Sequence, residues 1–262
     1  MSEQLLTVLG CAAFGLLIGS FLNVVIWRVP RGESVVSPPS ACPGCGHQIR
    51  SRDNIPVISW LLLRGKCRDC AEPISRRYPL VEAGTAILFA IMAARFGASW
   101  ELPAYLYFAA IAVALAMIDL DLQRLPNAIV LPSYLVAGAL FLLPAVLESQ
   151  WDCYLRAWLG AVALFGFYFV LAWIYPAGMG FGDVKLAGVL GLYLAWLSWG
   201  ALIVGAFLGF FLGAFVGGGL MLARKAKMKT AIPFGPFMLL GALIGILWGN
   251  DLADLYSQTV FG

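Results

Sequence analysis

Eight long apolar runs decide what this 262-residue chain can fold into. They span residues 5–27, 80–96, 103–119, 126–147, 154–175, 184–198, 200–222 and 233–249. An α-helix needs about 20 apolar residues to cross the hydrocarbon core of a bilayer. The sequence therefore predicts an all-α, multi-pass membrane protein with about eight transmembrane helices embedded in a lipid bilayer. Nothing in this composition indicates a nucleic-acid-binding protein.

The border between the sixth and seventh runs is the least clear, because only Ser198, Trp199 and Gly200 separate them. A single helix through both runs would reduce the count to seven. The charges favour eight crossings. With the N-terminus outside, only Arg95 and Arg156 of the 17 basic residues lie on the outer side, as expected if Lys and Arg collect on the inner side. The inner-side residues are Arg28, Arg31, Arg50, Arg52, Arg64, Lys66, Arg68, Arg76, Arg77, Arg124, Lys185, Arg224, Lys225, Lys227 and Lys229. We therefore predict eight helices with both termini outside.

The only sizeable polar segment, residues 28–79, carries two Cys-x-x-C motifs. Their cysteines are Cys42, Cys45, Cys67 and Cys70. Four thiolates at this spacing are typical of a closed, tetrahedral structural zinc site, and a metal would help so small a segment to fold. His47 remains a possible alternate ligand. The predicted parts are a first transmembrane helix (1–27), a cytoplasmic zinc-binding insert (28–79) and a seven-helix membrane domain (80–262).

Two acidic side chains stand at the ends of apolar runs, where a charge is costly to keep. Asp119 closes the third run, and Asp183 precedes the sixth within Gly180-Phe181-Gly182-Asp183. With eight crossings, Asp119 ends an inward-running helix and Asp183 begins an outward-running one, so both lie at the cytoplasmic side. Two carboxyls that share a site cannot both ionise cheaply, so one keeps a proton and the other acts as a base. The two acids are therefore a candidate aspartic protease dyad.

Several neighbouring residues have more than one interpretation. Asp121 is a rival of Asp119, although burial favours Asp119 because Asp121 begins the polar exit from the apolar run. Asp183 could also be a helix N-cap, and the two roles are compatible. Lys185 is interpreted as an interfacial lysine rather than a catalyst. Glu82 could contact substrate or cap its helix.

Several stretches of the chain resemble the type IV prepilin peptidases, which are bacterial GxGD-type aspartyl proteases of the inner membrane. These stretches are residues 19–30, 53–61, 77–82, 119–127, 180–183 and 233–237, together with the two Cys-x-x-C motifs. In that family the first catalytic Asp stands seven residues before the Pro of a Leu-Pro-Asn segment, here Leu125-Pro126-Asn127. The resemblance thus also selects Asp119 over Asp121.

The resemblance implies an activity and a location. Such enzymes cut the leader from type IV prepilins or type II secretion pseudopilins after a Gly, at the cytoplasmic face of the bacterial inner membrane, which makes both termini here periplasmic. Asp119 and Asp183 would be the catalytic residues. Many members then N-methylate the new N-terminal residue with S-adenosylmethionine, an activity associated with forms that carry the cysteine insert. No residue of this chain is assigned to that cofactor, and the natural substrate and oligomeric state stay open.

Two alternative functions accompany this hypothesis. The first is a prepilin-type peptidase without methyl transfer. The second, from another class, is a proton-coupled transporter that uses the two acids as relays. A transporter would predict paired half-sequence repeats and broken helices at mid-membrane, and no such repeat is visible in the sequence.

Overall fold

The computed structural model describes residues 2–176, 179–222 and 233–261. Within these ranges the chain forms nine α-helices: α1 (Glu3–Arg28), α2 (Ile58–Leu62), α3 (Arg77–Phe96), α4 (Leu102–Leu122), α5 (Asn127–Leu147), α6 (Trp151–Ile174), α7 (Phe181–Leu197), α8 (Trp199–Leu222) and α9 (Gly235–Phe261). Elsewhere in these ranges it forms turns, two short 3-10 helices and two isolated β-bridges. The all-α prediction is confirmed. The basic residues Arg224, Lys225, Lys227 and Lys229 lie outside the described residues.

Each predicted apolar run forms its own helix. Seven of the helices in the described part of the chain are long and apolar enough to cross a membrane, and the eighth, α7, has 17 residues. Helices α7 and α8 separate at Ser198, whose backbone is extended at φ −172° and ψ 167°. The Ser198 Oγ accepts the Ala201 N–H at 2.9 Å and thereby caps the start of α8. The short polar break is therefore a true helix boundary.

Helix α9 continues well beyond the predicted apolar run, which ended at residue 249. It reaches Phe261, and most of its residues from Asp251 to Thr259 are exposed. Backbone hydrogen bonds do not require apolar side chains, and neither glycine nor proline interrupts residues 250–260. The hydropathy pattern therefore underestimated the length of this helix.

The chain forms two compact units, Met1–Ala114 and Leu115–Gly262. The first contains α1, α2, α3 and the polar insert, and the second contains α5 to α9; the boundary falls within α4. The three-part division made from the sequence stays a prediction.

Glycines on α1 bring α1 and α3 into close contact within the first unit. A Cβ atom at Gly15 would lie 2.8 Å from the Ala86 Cα, and one at Gly19 would lie 2.7 Å from the Glu82 Cα. Side chains larger than hydrogen would force the two helices apart. Close approach of backbones through small residues is how membrane helices gain packing contacts without a hydrophobic driving force.

Helix α7 lies at the centre of the second unit. It contacts α5, α6, α8 and α9, and every residue from Leu186 to Trp196 is buried. Gly160 of α6 faces Gly191 of α7 in direct backbone contact. A helix enclosed by other helices needs no lipid-facing surface of its own. At about 1.5 Å per residue, 17 residues span roughly 25 Å, which places the first turn of α7 near one edge of the surrounding helices.

Arg156 of α6 terminates α7. Its guanidinium donates to the carbonyl oxygens of Ala195 at 2.6 Å, Trp196 at 2.6 Å and Leu197 at 3.0 Å. The last carbonyls of a helix have no partner within the helix, and a cation there complements the negative end of the helix dipole. This contact explains why Arg156, one of the two basic residues predicted on the outer side, lies in an otherwise apolar region at the end of α7 opposite to Asp183.

Candidate active site and metal centre

The insert gathers its four cysteines into one cluster. The Sγ atoms of Cys42, Cys45, Cys67 and Cys70 all lie within 4.8 Å of one another, and those of Cys42 and Cys70 are 3.7 Å apart. Four sulfurs at about 2.3 Å from a tetrahedral zinc ion are separated by about 3.8 Å. The cluster therefore fits a zinc ion with little movement. His47 is not part of it and contributes its carbonyl oxygen, which accepts the Cys42 N–H at 2.9 Å.

The two Cys-x-x-C loops have the same backbone arrangement. In each, the carbonyl of the first cysteine accepts the N–H of the residue that follows the second cysteine, Cys42 from Gly46 at 2.8 Å and Cys67 from Ala71 at 3.0 Å. Gly46 has φ +71° and Ala71 has φ +60°. Ala71 thus adopts the left-handed conformation that glycine adopts in the first loop, although this region disfavours a side chain.

The first loop favours the thiolate form of Cys42. Backbone N–H groups of Cys45 and Gly44 hydrogen-bond to the Cys42 sulfur and lower the pKa of this thiol to about 7. The thiolate is the form that binds metal. The loop backbone therefore supports the donor set that zinc requires.

Asp119 lies three residues before the end of α4 and is 5% exposed. Its Oδ2 accepts the N–H of Gly235, the first residue of α9, at 3.0 Å. A Cβ atom at position 235 would lie 2.7 Å from the same oxygen, so the approach needs glycine. Sequence analysis missed this partner; the available signal was Pro236, because proline is favoured in the first turn of a helix.

Asp183 is the third residue of α7. Its Oδ2 accepts the Gly180 N–H at 3.1 Å, and its own N–H donates to the Gly180 carbonyl at 3.0 Å. This reciprocal pair caps the start of α7. The capping role that was an alternative for Asp183 is therefore present in the structure.

The two acids come together at the start of α7 and α9. Their carboxyls are close enough to interact electrostatically, and each accepts a backbone N–H at a helix N-terminus, where the helix dipole favours negative charge. Leu125 packs against the starts of both α7 and α9. Its Cβ lies 3.1 Å from the position that a Cβ atom at Gly182 would take, and its Cδ2 lies 3.4 Å from the position of a Cβ atom at Gly235. Asp121, the rival acid, is exposed.

Lys185 ties the first turn of α7 to α5. Its Nζ donates to the Asn127 Oδ1 at 2.8 Å and lies 4.8 Å from the centre of the Phe181 ring. The Tyr134 hydroxyl donates to the Lys185 carbonyl at 2.6 Å. Asn127 is the first residue of α5 and Tyr134 lies two turns further along it. Lys185 thus has specific partners beyond the interfacial position predicted for it.

Tyr168 of α6 is a further residue near the acids that sequence analysis did not identify. It is 1% exposed, and its ring lies 5.0 Å from that of Phe210 and 6.4 Å from that of Phe234, which directly precedes Gly235, the partner of Asp119. A buried tyrosine usually places its hydroxyl near a polar group. One tyrosine among many aromatic residues is too weak a sequence signal to find such a site.

Glu82 of α3 has a role that neither earlier interpretation described. Its side chain is buried, with 8% of the residue exposed, and its Oε2 accepts the Val57 N–H at 2.7 Å. Val57 directly precedes α2 in the insert. The carboxylate therefore fixes the insert to α3 within the first unit.

Two family models match consecutive parts of the chain. The bacterial peptidase A24 N-terminal domain matches residues 13–96, which include the second half of α1, the cysteine cluster and α3. The type IV leader peptidase family matches residues 106–222, which include both Asp119 and Asp183.

Several known proteins are similar to almost the whole chain. The prepilin leader peptidase/N-methyltransferase of Aeromonas hydrophila is 40% identical over 93% of this chain and 91% of its own length. The protein of the same name from Pseudomonas aeruginosa is 36% identical over 98% of this chain and 96% of its own length. The one from Bacillus subtilis is 33% identical over 95% of this chain and 97% of its own length. No solved structure matches the chain significantly. The chain belongs to the type IV leader peptidase family.

Proposed function

We propose that this protein is a prepilin leader peptidase, an aspartic endopeptidase of the bacterial inner membrane with Asp119 and Asp183 as its catalytic carboxyls. Its substrates are type IV prepilins or type II secretion pseudopilins, which it cuts after a Gly. The observation that carries this proposal is that Asp183 and Asp119 each accept a backbone N–H at the start of α7 and α9, two helices that pack against each other. The names of the relatives support the substrate class.

The two carboxyls share one proton and therefore take different roles. The ionised carboxylate accepts a proton from water while the water oxygen attacks the scissile carbonyl carbon. The protonated partner donates its proton to the carbonyl oxygen. The first carboxyl then passes the proton from water to the leaving nitrogen while the second takes a proton back from the intermediate's hydroxyl, and the C–N bond breaks. The products are the leader with a new carboxylate and the mature protein with a new amino group. The N–H groups of Gly180 and Gly235 hold the carboxyls in place.

We place both termini in the periplasm, and the insert (28–79) and both acids at the cytoplasmic face. The distribution of basic residues supports this orientation, as does the position of both acids near helix ends rather than at mid-helix. Reporter domains fused at the C-terminus and within residues 28–79 test it. Alkaline phosphatase activity is expected only from the C-terminal fusion, and fluorescence of a green fluorescent protein only from the insert fusion.

The proposed second activity is N-methylation of the new N-terminal residue. The names of the relatives and the presence of the cysteine insert support it. S-adenosylmethionine would supply the methyl group, and Cys42, Cys45, Cys67 and Cys70 would hold a structural zinc ion. Mass spectrometry of the mature substrate separates this function from a peptidase without methyl transfer, because only the bifunctional enzyme adds the mass of one methyl group.

Substitution of each acid tests the peptidase proposal directly. Asp119→Asn and Asp183→Asn should each abolish cleavage of a purified prepilin in detergent. Asp121→Asn is the matched control, since it makes the same change on the same helix at an exposed position, and it should retain activity. Full activity in either of the first two variants would refute the assignment. A proton-coupled transporter would instead lose proton flux in these variants without any effect on a substrate peptide.

A further inference from the structure

The insert presents a compact apolar surface that its own fold does not cover. Helix α2 exposes Ile58 by 52%, Leu61 by 60% and Leu62 by 77%, and Ile55 just before it is 47% exposed. Residues spaced three and four apart lie on one face of a helix. We name these four residues the α2 patch. Apolar patches surrounded by polar residues mark contacts with a protein or a membrane.

The opposite side of α2 is firmly attached to the insert, so the patch is a built surface. Ser59 is 5% exposed; its Oγ donates to the Arg52 carbonyl at 3.0 Å and accepts the Ile55 N–H at 3.0 Å. The Trp60 Nε1 donates to the Ile74 carbonyl at 3.1 Å. These bonds orient α2 and turn its apolar side chains outward.

The Glu82 contact determines the depth of the α2 patch. Glu82 lies five residues after Arg77, the first residue of α3, which corresponds to about 7 Å along the helix. The Glu82 carboxylate accepts the N–H of Val57, the residue before α2. Val57 therefore lies at the depth of Glu82 along α3, and α3 is apolar enough to span a membrane. The α2 patch therefore begins at the level of the second turn of this helix.

The charges that follow α2 match the headgroup region of a membrane. Arg64, Lys66 and Arg76 are all exposed, and basic side chains at a membrane surface are attracted to anionic lipids. Apolar side chains on one side of a short element with basic residues beside it are the pattern of interfacial anchors. Of the acids in the insert, Asp53 and Asp69 are paired with Arg68 and Arg50, and Glu72 is exposed in the second cysteine loop.

We propose that the α2 patch inserts into the membrane interface and that Arg64, Lys66 and Arg76 bind anionic lipid headgroups beside it. The occupant of the patch is lipid acyl chain from the leaflet that surrounds α3. This contact holds the zinc-binding insert against the bilayer at a fixed depth, whatever reaction the second unit performs.

Site-specific photo-crosslinking in reconstituted vesicles tests this contact. The photoreactive residue p-benzoylphenylalanine replaces Leu62 in the full-length, zinc-loaded protein, in vesicles of phosphatidylethanolamine and phosphatidylglycerol. The matched control places the same probe at Glu72, an exposed residue of the second cysteine loop. Zinc content, measured for both variants, shows that the insert is folded.

We expect lipid adducts at position 62 but not at position 72, with a yield at position 62 that increases with the fraction of phosphatidylglycerol. Arg64→Gln combined with Lys66→Gln should remove that increase. Three outcomes would overturn the proposal: no lipid adduct at position 62, equal adducts at both positions, or adducts at position 62 with an added prepilin instead of lipid. A yield independent of phosphatidylglycerol would refute the role of the basic residues.

Discussion

The Lys185 Nζ donates a hydrogen bond to the Asn127 Oδ1 at 2.8 Å, which joins the segment after Asp183 to the segment after Asp119. The Tyr134 hydroxyl adds a second link to the Lys185 backbone at 2.6 Å. Together these contacts fix the start of α7 relative to the start of α5. The distance between the two acids therefore depends on residues that do not need to touch the substrate.

Loss of the hydrogen bond between Lys185 and Asn127 should impair cleavage although both acids are still present. We expect Lys185→Met and Asn127→Ala each to reduce kcat by about tenfold, because a hydrogen bond to a charged group contributes about 1.5 kcal/mol. If the two residues act only through their shared hydrogen bond, the double variant should lose no more activity than the more impaired of the two single variants. A double-mutant cycle measures this coupling. Lys185→Arg, which keeps a donor, should be less affected than Lys185→Met. Additive losses would show that the two residues act independently.

Gly235→Ala should displace the Asp119 carboxylate. The added Cβ atom would lie 2.7 Å from Oδ2, and a shift of about 1 Å in a catalytic group costs about 100-fold in rate. Gly166→Ala in α6 is the control, because a Cβ atom there meets nothing within 4 Å. Gly166→Ala should unfold at or above the wild-type temperature, since alanine favours helix, whereas Gly235→Ala should unfold at a somewhat lower temperature because the displaced carboxylate loses its hydrogen bond. Normal cleavage by Gly235→Ala would contradict the role assigned to this glycine.

The two cysteine loops should respond in opposite directions to exchange of alanine and glycine. Ala71→Gly should stabilise the insert by about 1 kcal/mol, because it removes a side chain from the left-handed region, and Gly46→Ala should destabilise it by a similar amount. A Cβ atom at Gly46 meets nothing within 4 Å, so the effect there comes from the backbone alone. Denaturant midpoints for zinc release measure both changes. If both variants shifted the denaturant midpoint in the same direction, this explanation would be excluded.

Loss of a single thiol should empty the metal site. Cys42→Ser or Cys67→Ser should reduce bound zinc well below one ion per chain and lower the unfolding temperature, because metal binding contributes directly to the folding of such a segment. Cys153→Ser in α6 removes a thiol outside the cluster and should retain full zinc content. Elemental analysis of the purified protein measures the metal. An unchanged zinc content in the first two variants would remove the assignment.

Arg156→Met should destabilise the second unit. The substitution leaves the last carbonyl oxygens of α7 without their charged donor, at an expected cost of about 2–4 kcal/mol. Arg95→Met is the control: the Arg95 guanidinium lies 5.5 Å from the Phe96 ring, a contact worth about 0.5–1 kcal/mol at an exposed site. Thermal unfolding in detergent compares the two. Equal effects would mean that the cap at α7 has no special importance.

The positions of the helices were predictable because a bilayer imposes a length and a composition on each segment that crosses it. The choice of Asp119 over Asp121 was also open to prediction, since the burial expected from the apolar run before Asp119 agrees with its 5% exposure. The cysteine cluster followed from its spacing alone, because each Cys-x-x-C loop is a local structure. The end of α9 was not predictable in this way, because a helix can continue beyond its apolar part.

The sequence by itself predicted the long apolar helices, the cysteine cluster and the two candidate acids, because apolar length, local spacing and the cost of a charge in hydrocarbon are properties of short segments. Only the tertiary structure decided what holds those acids. Gly235 is 116 positions from Asp119, and Lys185 is 58 positions from Asn127. Contacts at such separations arise from the way α4, α5, α7 and α9 pack, and helix packing depends on side chains from every helix at once.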